Sequence, residues 1–526
     1  MTPPRPAPGT SSSLAWQTAS LPLRRRWAAT LVVCLGLFLL GLDLTVLNVA
    51  LPSLEDDLRP GVTALHWIVD GYALVLGGTV LTTGALTDRI GRRRAFVTGL
   101  AVCGTASALG ALAPAPWQVI ASRCVLGAGA ALLMPATLAL ICHLFPEPQL
   151  RRRAIAVWTA VGGVGGLAGP VVGGWLVEHF SWRAAFWLNL PIAVIAITLA
   201  LWLVPEVRST RCEPVDVPGA LLAAAGLLAL VAAIIESPQL GWSSPPVLTG
   251  YGLAALLLSA FLLYEHRCRH PLLPLTLLRH PRIGMNAATL ALMSFSLLGA
   301  LFVMTLYLQG VLGYTPWQAG QHTLPLPAAL AVGAAASQPV AGRMGEKRAV
   351  LSGLALVASA FTVLATTSST SGYGHLVLFQ ILAGLGAGVA FSPATAAVMG
   401  AVPHHSAGLG SAINDATRQV GAALGVAVQG SVLATAYTTH ARNNLADAGL
   451  SVPVRTAATD NILTAAATLP RLPAPQQTRL AAAVTDAFIT GMTRTALIAA
   501  AVILATAVAV SYGYPARRAR AVRQGR

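Results

Sequence analysis

The chain has 526 residues, 55% of them apolar and only 10% charged, with 50 glycines and 34 prolines. A soluble globular chain carries about 25% charged residues, so this composition excludes an ordinary water-soluble fold and places most of the chain in a bilayer. The formal net charge is +16, but the basic residues sit in short clusters between apolar runs, which reads as a topology signal rather than a nucleic-acid surface.

In chain order, residues 1–26 form a polar, Pro/Ser/Thr-rich cytoplasmic tail that ends in Arg24, Arg25 and Arg26 and is expected to be disordered. The apolar run that follows is too long for a signal-peptide core and reads as a retained first helix. A spanning helix needs about 20 mostly apolar residues. Fourteen segments qualify: 27–51, 64–86, 95–113, 117–144, 154–178, 183–204, 217–236, 246–265, 284–310, 320–342, 349–368, 374–402, 407–437 and 487–511. The thirteenth is the weakest, because its first half, GLGSAINDATRQ, is polar. Residues 438–486 are expected to be an extracellular loop, and 512–526 a basic cytoplasmic tail. With both termini in the cytoplasm, 25 of the 34 basic residues fall on the inner side, as the positive-inside rule requires.

Two segments repeat: TDRIGRRRAFVTGL at 87–100 and AGRMGEKRAVLSGL at 341–354. MPAT at 134–137 is echoed by SPAT at 392–395. Internal repeats of this kind build many secondary transporters, with the site near the midplane between the halves. The expected architecture is an all-α integral membrane protein. Residues 27–204 and 284–511 would form two six-helix bundles, and 205–283 an inserted pair of helices with its cytoplasmic linkers.

An ionisable residue inside a span is costly and marks a candidate site. Asp43 in span 1, Asp70 in span 2 and Arg123 in span 4 all lie roughly 9–12 Å below the outer surface at 1.5 Å per residue. A buried carboxylate beside a movable cation can take a proton when the pair separates and lose it when the pair re-forms. The alternatives are a fixed buried ion pair for Asp43, a place near the headgroups for Asp70 and a structural lock for Arg123. Asp415 and Arg418, three apart at the cytoplasmic end of span 13, share a helix face; a self-neutralising pair and a substrate-linked role both fit. Glu178 and Glu236 sit at span ends and read as solvated.

Span 5 contains GGVGGLAGPVVGGWL, in which Gly162, Gly166, Pro170 and Gly174 form one four-residue stripe and Gly165, Gly169 and Gly173 another. Such stripes let a neighbouring backbone approach closely, either as static packing or as a pliable contact that rocks. The loop GALTDRIGRRR holds Gly84, Asp88, Arg89, Gly91, Arg92 and Arg93. Its arginines anchor topology; Asp88 could in addition cap a helix of the opposite half and latch one conformation.

The only lysine, Lys347, lies in GEKR with no Ser or Thr after it, so there is no Walker A phosphate loop. No metal-ligand or disulfide spacing appears among the six cysteines. No cofactor is expected, a proton gradient being the driving force.

These segments resemble the major facilitator superfamily, and within it the 14-helix drug:proton antiporters. LDLTVLNVALP (42–52) is similar to that family's first-helix motif, GALTDRIGRRRAF to its loop signature, RCVLGAGAA (123–131) to its fourth-helix motif, and GGLAGPVVGGWL (165–176) to its antiporter motif. WRAAFWLNLPIAV (182–194) and GSAINDATRQVGAALGVAV (410–428) resemble segments of the 14-helix branch; Phe186 to Leu188 and the charge at Asp415 depart from it.

The resemblance implies the major facilitator fold and export of lipophilic or cationic drugs or antibiotics in exchange for protons. It also implies coupling at Asp43, Arg123 and Asp70 and gating by the arginine loop. Asn48, Asp415 and Arg418 become candidate substrate or coupling residues. The expected partners are a small-molecule substrate and the lipid of the cytoplasmic membrane, with the chain working as a monomer. Export of a single endogenous metabolite is the alternative. A membrane sensor or enzyme is remote, since no catalytic constellation or soluble domain is apparent.

Overall fold

The structure is a computed structural model that describes residues 22–206, 216–268, 280–369, 371–401, 407–445, 450–460, 462–469 and 472–513. Every regular element among them is a helix. The long helices are α1 (Leu23–Leu58), α2 (Gly61–Ile90), α3 (Arg92–Ala111), α4 (Pro116–Leu144) and α5 (Pro148–His179). The short α6 (Trp182–Trp187) and α7 (Asn189–Leu203) follow one path, interrupted because Pro191 has no N–H to give the preceding turn. Then come α8 (Val217–Leu240), α9 (Pro245–Arg267) and α10 (Pro281–Leu306), the last ending in a π turn at Tyr307–Val311. The remainder are α11 (Pro316–His322), α12 (Pro325–Met344), α13 (Glu346–Ala365), α14 (Tyr373–Ala401), α15 (Ala407–Asn444), α16 (Val452–Asp460), α17 (Ile462–Thr468) and α18 (Ala474–Gly513).

Among the described residues, 12 helical segments are long and apolar enough to cross a membrane. The helices α2 and α5, 30 and 32 residues long, include side chains outside the described set and are not among the 12. Large apolar side chains such as Trp202, Leu221, Leu256 and Leu263 point outward. Exposed apolar surface on this scale suits lipid, not water. The chain is a multi-pass membrane protein.

The repeat takes three-dimensional form. Gly91 ends α2 and opens α3 at φ 103°, and Gly345 ends α12 and opens α13 at φ 85°. Both turns need a left-handed backbone that glycine adopts without steric cost. Just beyond, Gly99 meets the carbonyl oxygen of Gly129, and Gly353 meets that of Gly386, at 2.9 and 2.6 Å from where a Cβ would stand. Two helix crossings in different parts of the chain thus have the same glycine-on-glycine construction.

Helices α1 to α7 pack mainly on one another, as do α10 and α12 to α18; α8 pairs with α9 and lies against α2 and α15. The segment 438–486, expected as an extracellular loop, carries helices where it is described. Helix α15 runs on to Asn444, α16 and α17 fold over its end, and α18 begins at Ala474. The segment is rich in alanine, the best helix former, and Ala458, Ala465 and Leu480 are fully buried in it. The Tyr437 hydroxyl donates to the carbonyl of Ala458 at 2.7 Å, tying α16 to α15.

Candidate functional site

Asp43 on α1 and Arg123 on α4 are both buried, and the Arg123 Nη1 donates to Asp43 Oδ2 at 2.6 Å. Arg123 Nε donates to the carbonyl of Ile68 at 3.0 Å, and its guanidinium lies 4.5 Å from the Tyr72 ring centre. Asp43 Oδ1 accepts from Asn189 Nδ2 at 2.8 Å, and the same amide donates to Ser107 Oγ at 2.9 Å. The pair is therefore held by three further groups, on α2 and α7, and Ser107 of α3 holds the Asn189 amide in turn. Asn189 was not singled out from the sequence. Its signal was a lone amide in an apolar run, at the first residue of α7.

Asp70 on α2 is fully buried, and neither of its carboxyl oxygens has a hydrogen-bond partner. It faces a cavity of about 20 Å³ lined also by Leu47, Arg123, Leu298 and Ala422. That is room for a single water. The lining comes from α1, α2 and α4 on one side and α10 and α15 on the other, so the cavity lies where the two groups of helices meet.

Both glycine stripes of α5 meet α1, and the far end of one also meets α11. Gly165, Gly169 and Gly173 lie on α1, where added Cβ atoms would meet the Phe38 carbonyl, Thr45 and Val46. Thr45 Oγ1 donates to the Gly166 carbonyl at 3.1 Å, fastening the same contact. The end of the other stripe remote from the termini, Pro170 and Gly174, meets Gly320 and Pro316 of α11. Glu178, expected as a solvated helix end, is exposed but accepts from the backbone N–H of Trp317 at 3.1 Å. Gln309 Nε2 reaches the Val49 carbonyl at 3.3 Å. The contacts of α5 with α11 and of Gln309 with Val49 join the two groups at the end remote from the termini. Helices α2 and α15 stay together from His66 and Gly430 to Gly77 and Gln419; nearer the termini, Arg418 is exposed.

In the arginine loop, Gly84 sits 3.9 Å from Pro135 at its would-be Cβ, and Arg89 is exposed in the last turn of α2. Arg92 Nη1 donates to the Ala139 carbonyl at 3.2 Å, and Arg93 Nη1 to that of Val204 at 3.2 Å. Arg93 and Arg94 also face Glu206, each at 3.7 Å. Arg92 and Arg93 thus bind their own group of helices. The side chains of Asp88 and Asn48 lie outside the described residues. Arg418 places its guanidinium 5.0 Å from the Phe391 ring, and Asp415 accepts from Asn414 Nδ2 at 3.1 Å.

Among the described residues, no group of His, Cys, Asp or Glu has the arrangement of a metal site. The site is a buried charge network, a small cavity between two helix groups, and a seal at one end. A sequence profile described as the Major Facilitator Superfamily matches residues 33–426, and the chain belongs to that family of transporters. It is 32% identical over 501 residues to the tetracenomycin C resistance and export protein of Streptomyces glaucescens, covering 94% of this chain and 93% of that one. It is 38% identical over 438 residues to a puromycin resistance protein of Streptomyces alboniger, covering 82% and 85%. With the multidrug efflux pump LfrA of Mycolicibacterium smegmatis it shares 32% identity over 491 residues, covering 93% and 96%. In fold it is similar to a bacterial homologue of the human lysosomal transporter Spinster, inward-facing and unoccupied, with a TM-score of 0.63 at 15% identity over 94% of this chain and 99% of that one.

Proposed function

We propose that the chain exports lipophilic or cationic small molecules, antibiotics and other drugs among them, in exchange for protons. It does so by alternating access, as a monomer in the cytoplasmic membrane with both termini inside. Residues 27–204 and 284–511 are the two moving halves, 205–283 the inserted pair, and α2 and α5 complete a set of fourteen spans. With the termini inside, the seal of α5 on α11 lies outside, and the conformation is open inward.

The observation that carries this reading is Asp70, buried without a donor beside a satisfied Asp43–Arg123 pair at the junction of the halves. An ionised carboxylate without a donor is costly there, so a proton on Asp70 fits this conformation. Its departure fits one that wets the cavity. Arg123 borders that cavity and holds Asp43, so a change of charge at Asp70 is felt by the pair. No cofactor takes part.

Relatives named for a single antibiotic, tetracenomycin C or puromycin, favour a dedicated exporter; a relative named as a multidrug pump favours a broad one. The test is proteoliposomes holding the full chain and a pH-sensitive dye, with an acidic lumen and therefore an outward-directed proton gradient, to which ethidium is added outside. Ethidium should accelerate collapse of the gradient in the wild type and not in Asp70→Asn. A sodium gradient that supports ethidium movement, with no proton flux, refutes proton coupling.

A further inference from the structure

Beyond Asp70, toward the sealed end, lies a second cavity of about 40 Å³. Its walls include Glu55 of α1, His66 of α2, Phe302 of α10, Tyr437 of α15, Asp460 of α16 and Phe488 of α18. It is large enough for two or three waters. Asp460 is itself exposed, so the α16 end of the cavity touches the outer solution. Its carboxyl is raised above the ordinary range by partial burial.

His66 forms the inner wall. It is 2% exposed, and its Nδ1 has no hydrogen-bond partner. The ring stands edge-on to Phe302, 5.1 Å between centres, and fits against α15 because residue 430 is glycine: a Cβ there would lie 2.5 Å from Nε2. His66 and Asp70 are four residues apart on α2, which puts them on one face about 6 Å apart. His66 thus lines the cavity that Asp460 borders, and one helical turn further along α2 stands an unpartnered acid in a cavity of its own.

We infer that His66 is the outer proton relay of this transporter, passing protons from the Glu55–Asp460 cavity to Asp70. In the step, which begins with Asp70 deprotonated, a ring nitrogen takes a proton from a hydronium ion that enters the outer cavity from solution, leaving a neutral water. The other ring nitrogen gives its proton to a water beside Asp70, which passes one to the carboxylate. One proton moves inward and the ring returns to neutral as the other tautomer. The groups that bias it are Glu55 from α1, Asp460 from α16 and the Tyr437 hydroxyl from α15, with Asp70 on its own helix. Helices α10, α17 and α18 face the cavity with apolar side chains, namely Phe302 and Leu306, Ile462 and Leu463, and Phe488.

This inference rests on the proton-antiport reading, and its test separates the two. In the proteoliposomes described above, ethidium-coupled proton flux is compared in wild type, His66→Gln and Asp70→Asn across about pH 5 to 8. His66→Gln is expected to slow the flux about tenfold or more with ethidium affinity unchanged, and millimolar imidazole is expected to restore it. Asp70→Asn is expected to stay uncoupled with imidazole present. Wild-type flux in His66→Gln overturns the relay and leaves antiport standing. A loss that imidazole does not restore, with a lowered melting temperature, assigns His66 to packing and also overturns it. Absence of ethidium-linked proton flux in the wild type overturns both.

Discussion

Arg93 and Lys347 occupy equivalent places in the repeated segment and make the same bond in different parts of the fold. Arg93 Nη1 donates to the carbonyl of Val204 just past the end of α7, and Lys347 Nζ to that of Ser511 near the end of α18, at 3.2 and 2.6 Å. A cation at a helix C-terminus meets orphan carbonyls and the negative end of the helix dipole. Each ties the first turn of the helix after the glycine turn, α3 or α13, to the last helix of its group.

Loss of the Lys347 bond should therefore weaken the protein more than loss of the Arg93 bond, which is longer and shares its side chain with Glu206. Lys347→Ala is expected to cost roughly 1.5–3 kcal/mol, the range for a hydrogen bond from a charged group, and Lys347→Arg much less. Thermal unfolding in detergent measures both, and equal melting temperatures for the alanine and arginine variants would count against the bond.

Removing one member of the Asp43–Arg123 pair leaves the other buried and uncompensated. Asp43→Asn should cost about 3–5 kcal/mol, tempered by the Ile68 carbonyl and the Tyr72 ring that still hold Arg123. Asp43→Asn combined with Arg123→Gln should recover most of that stability without recovering proton-coupled export. A double-mutant cycle read by unfolding and by transport distinguishes these; full export by the double variant removes the pair from the mechanism.

Asn189→Leu takes the donor from Asp43 Oδ1 and from Ser107 at once. The expected loss is about 1–3 kcal/mol together with slower transport, because Asp43 is then held by Arg123 alone. Asn189→Asp should be worse than leucine, since it sets a second carboxylate against the first. Transport rates of the two variants, ranked the other way, would contradict the hydrogen-bond direction.

Along α5, alanine should be tolerated at Gly166, where the nearest atom to a Cβ is 4.0 Å away, and resisted at Gly165, where the Phe38 carbonyl oxygen is at 2.5 Å. Overpacking of this kind costs about 1–3 kcal/mol. Gly174→Ala is different in kind: its Cβ meets the Pro316 carbonyl of α11 at 2.5 Å, across the seal. It should shift the population away from this sealed conformation, read as faster labelling of a cysteine placed at Trp317. Unchanged labelling would show that the seal absorbs the extra carbon.

The Asp460 carboxyl, raised by desolvation from 3.8, takes its proton more readily with α16 folded down than in an opened segment. Stability of the folded segment is then greatest below the ordinary carboxylate value and falls as pH rises through the raised one. Amide exchange over 452–468 should quicken across that window, and Asp460→Asn should flatten the dependence. Exchange that slows with rising pH, after correction for the intrinsic rate, reverses the sign and refutes it.

Much of this was legible along the chain. Apolar runs of spanning length, clustered arginines, the repeated loop and the two glycine stripes are one-dimensional properties, because bilayer thickness and helix pitch convert residue count directly into depth. The common depth of Asp43 and Arg123 could be read that way. Which helices stand beside one another could not. That Asn189 would reach Asp43, that both glycine stripes would meet α1 and the far end of one also α11, and that Glu178 would accept from Trp317 depend on packing between segments far apart in sequence. The burial of Asp70 and the place of His66 in the wall of the larger cavity depend on the approach of α15 to α2. The alanine-rich stretch after α15 is too short and polar in any one piece to register as a span, so only its burial against α15 and α18 decides that it folds as a cap. Depth is a property of one helix and follows from its sequence; neighbourhood is a property of the bundle and is settled only when the helices pack.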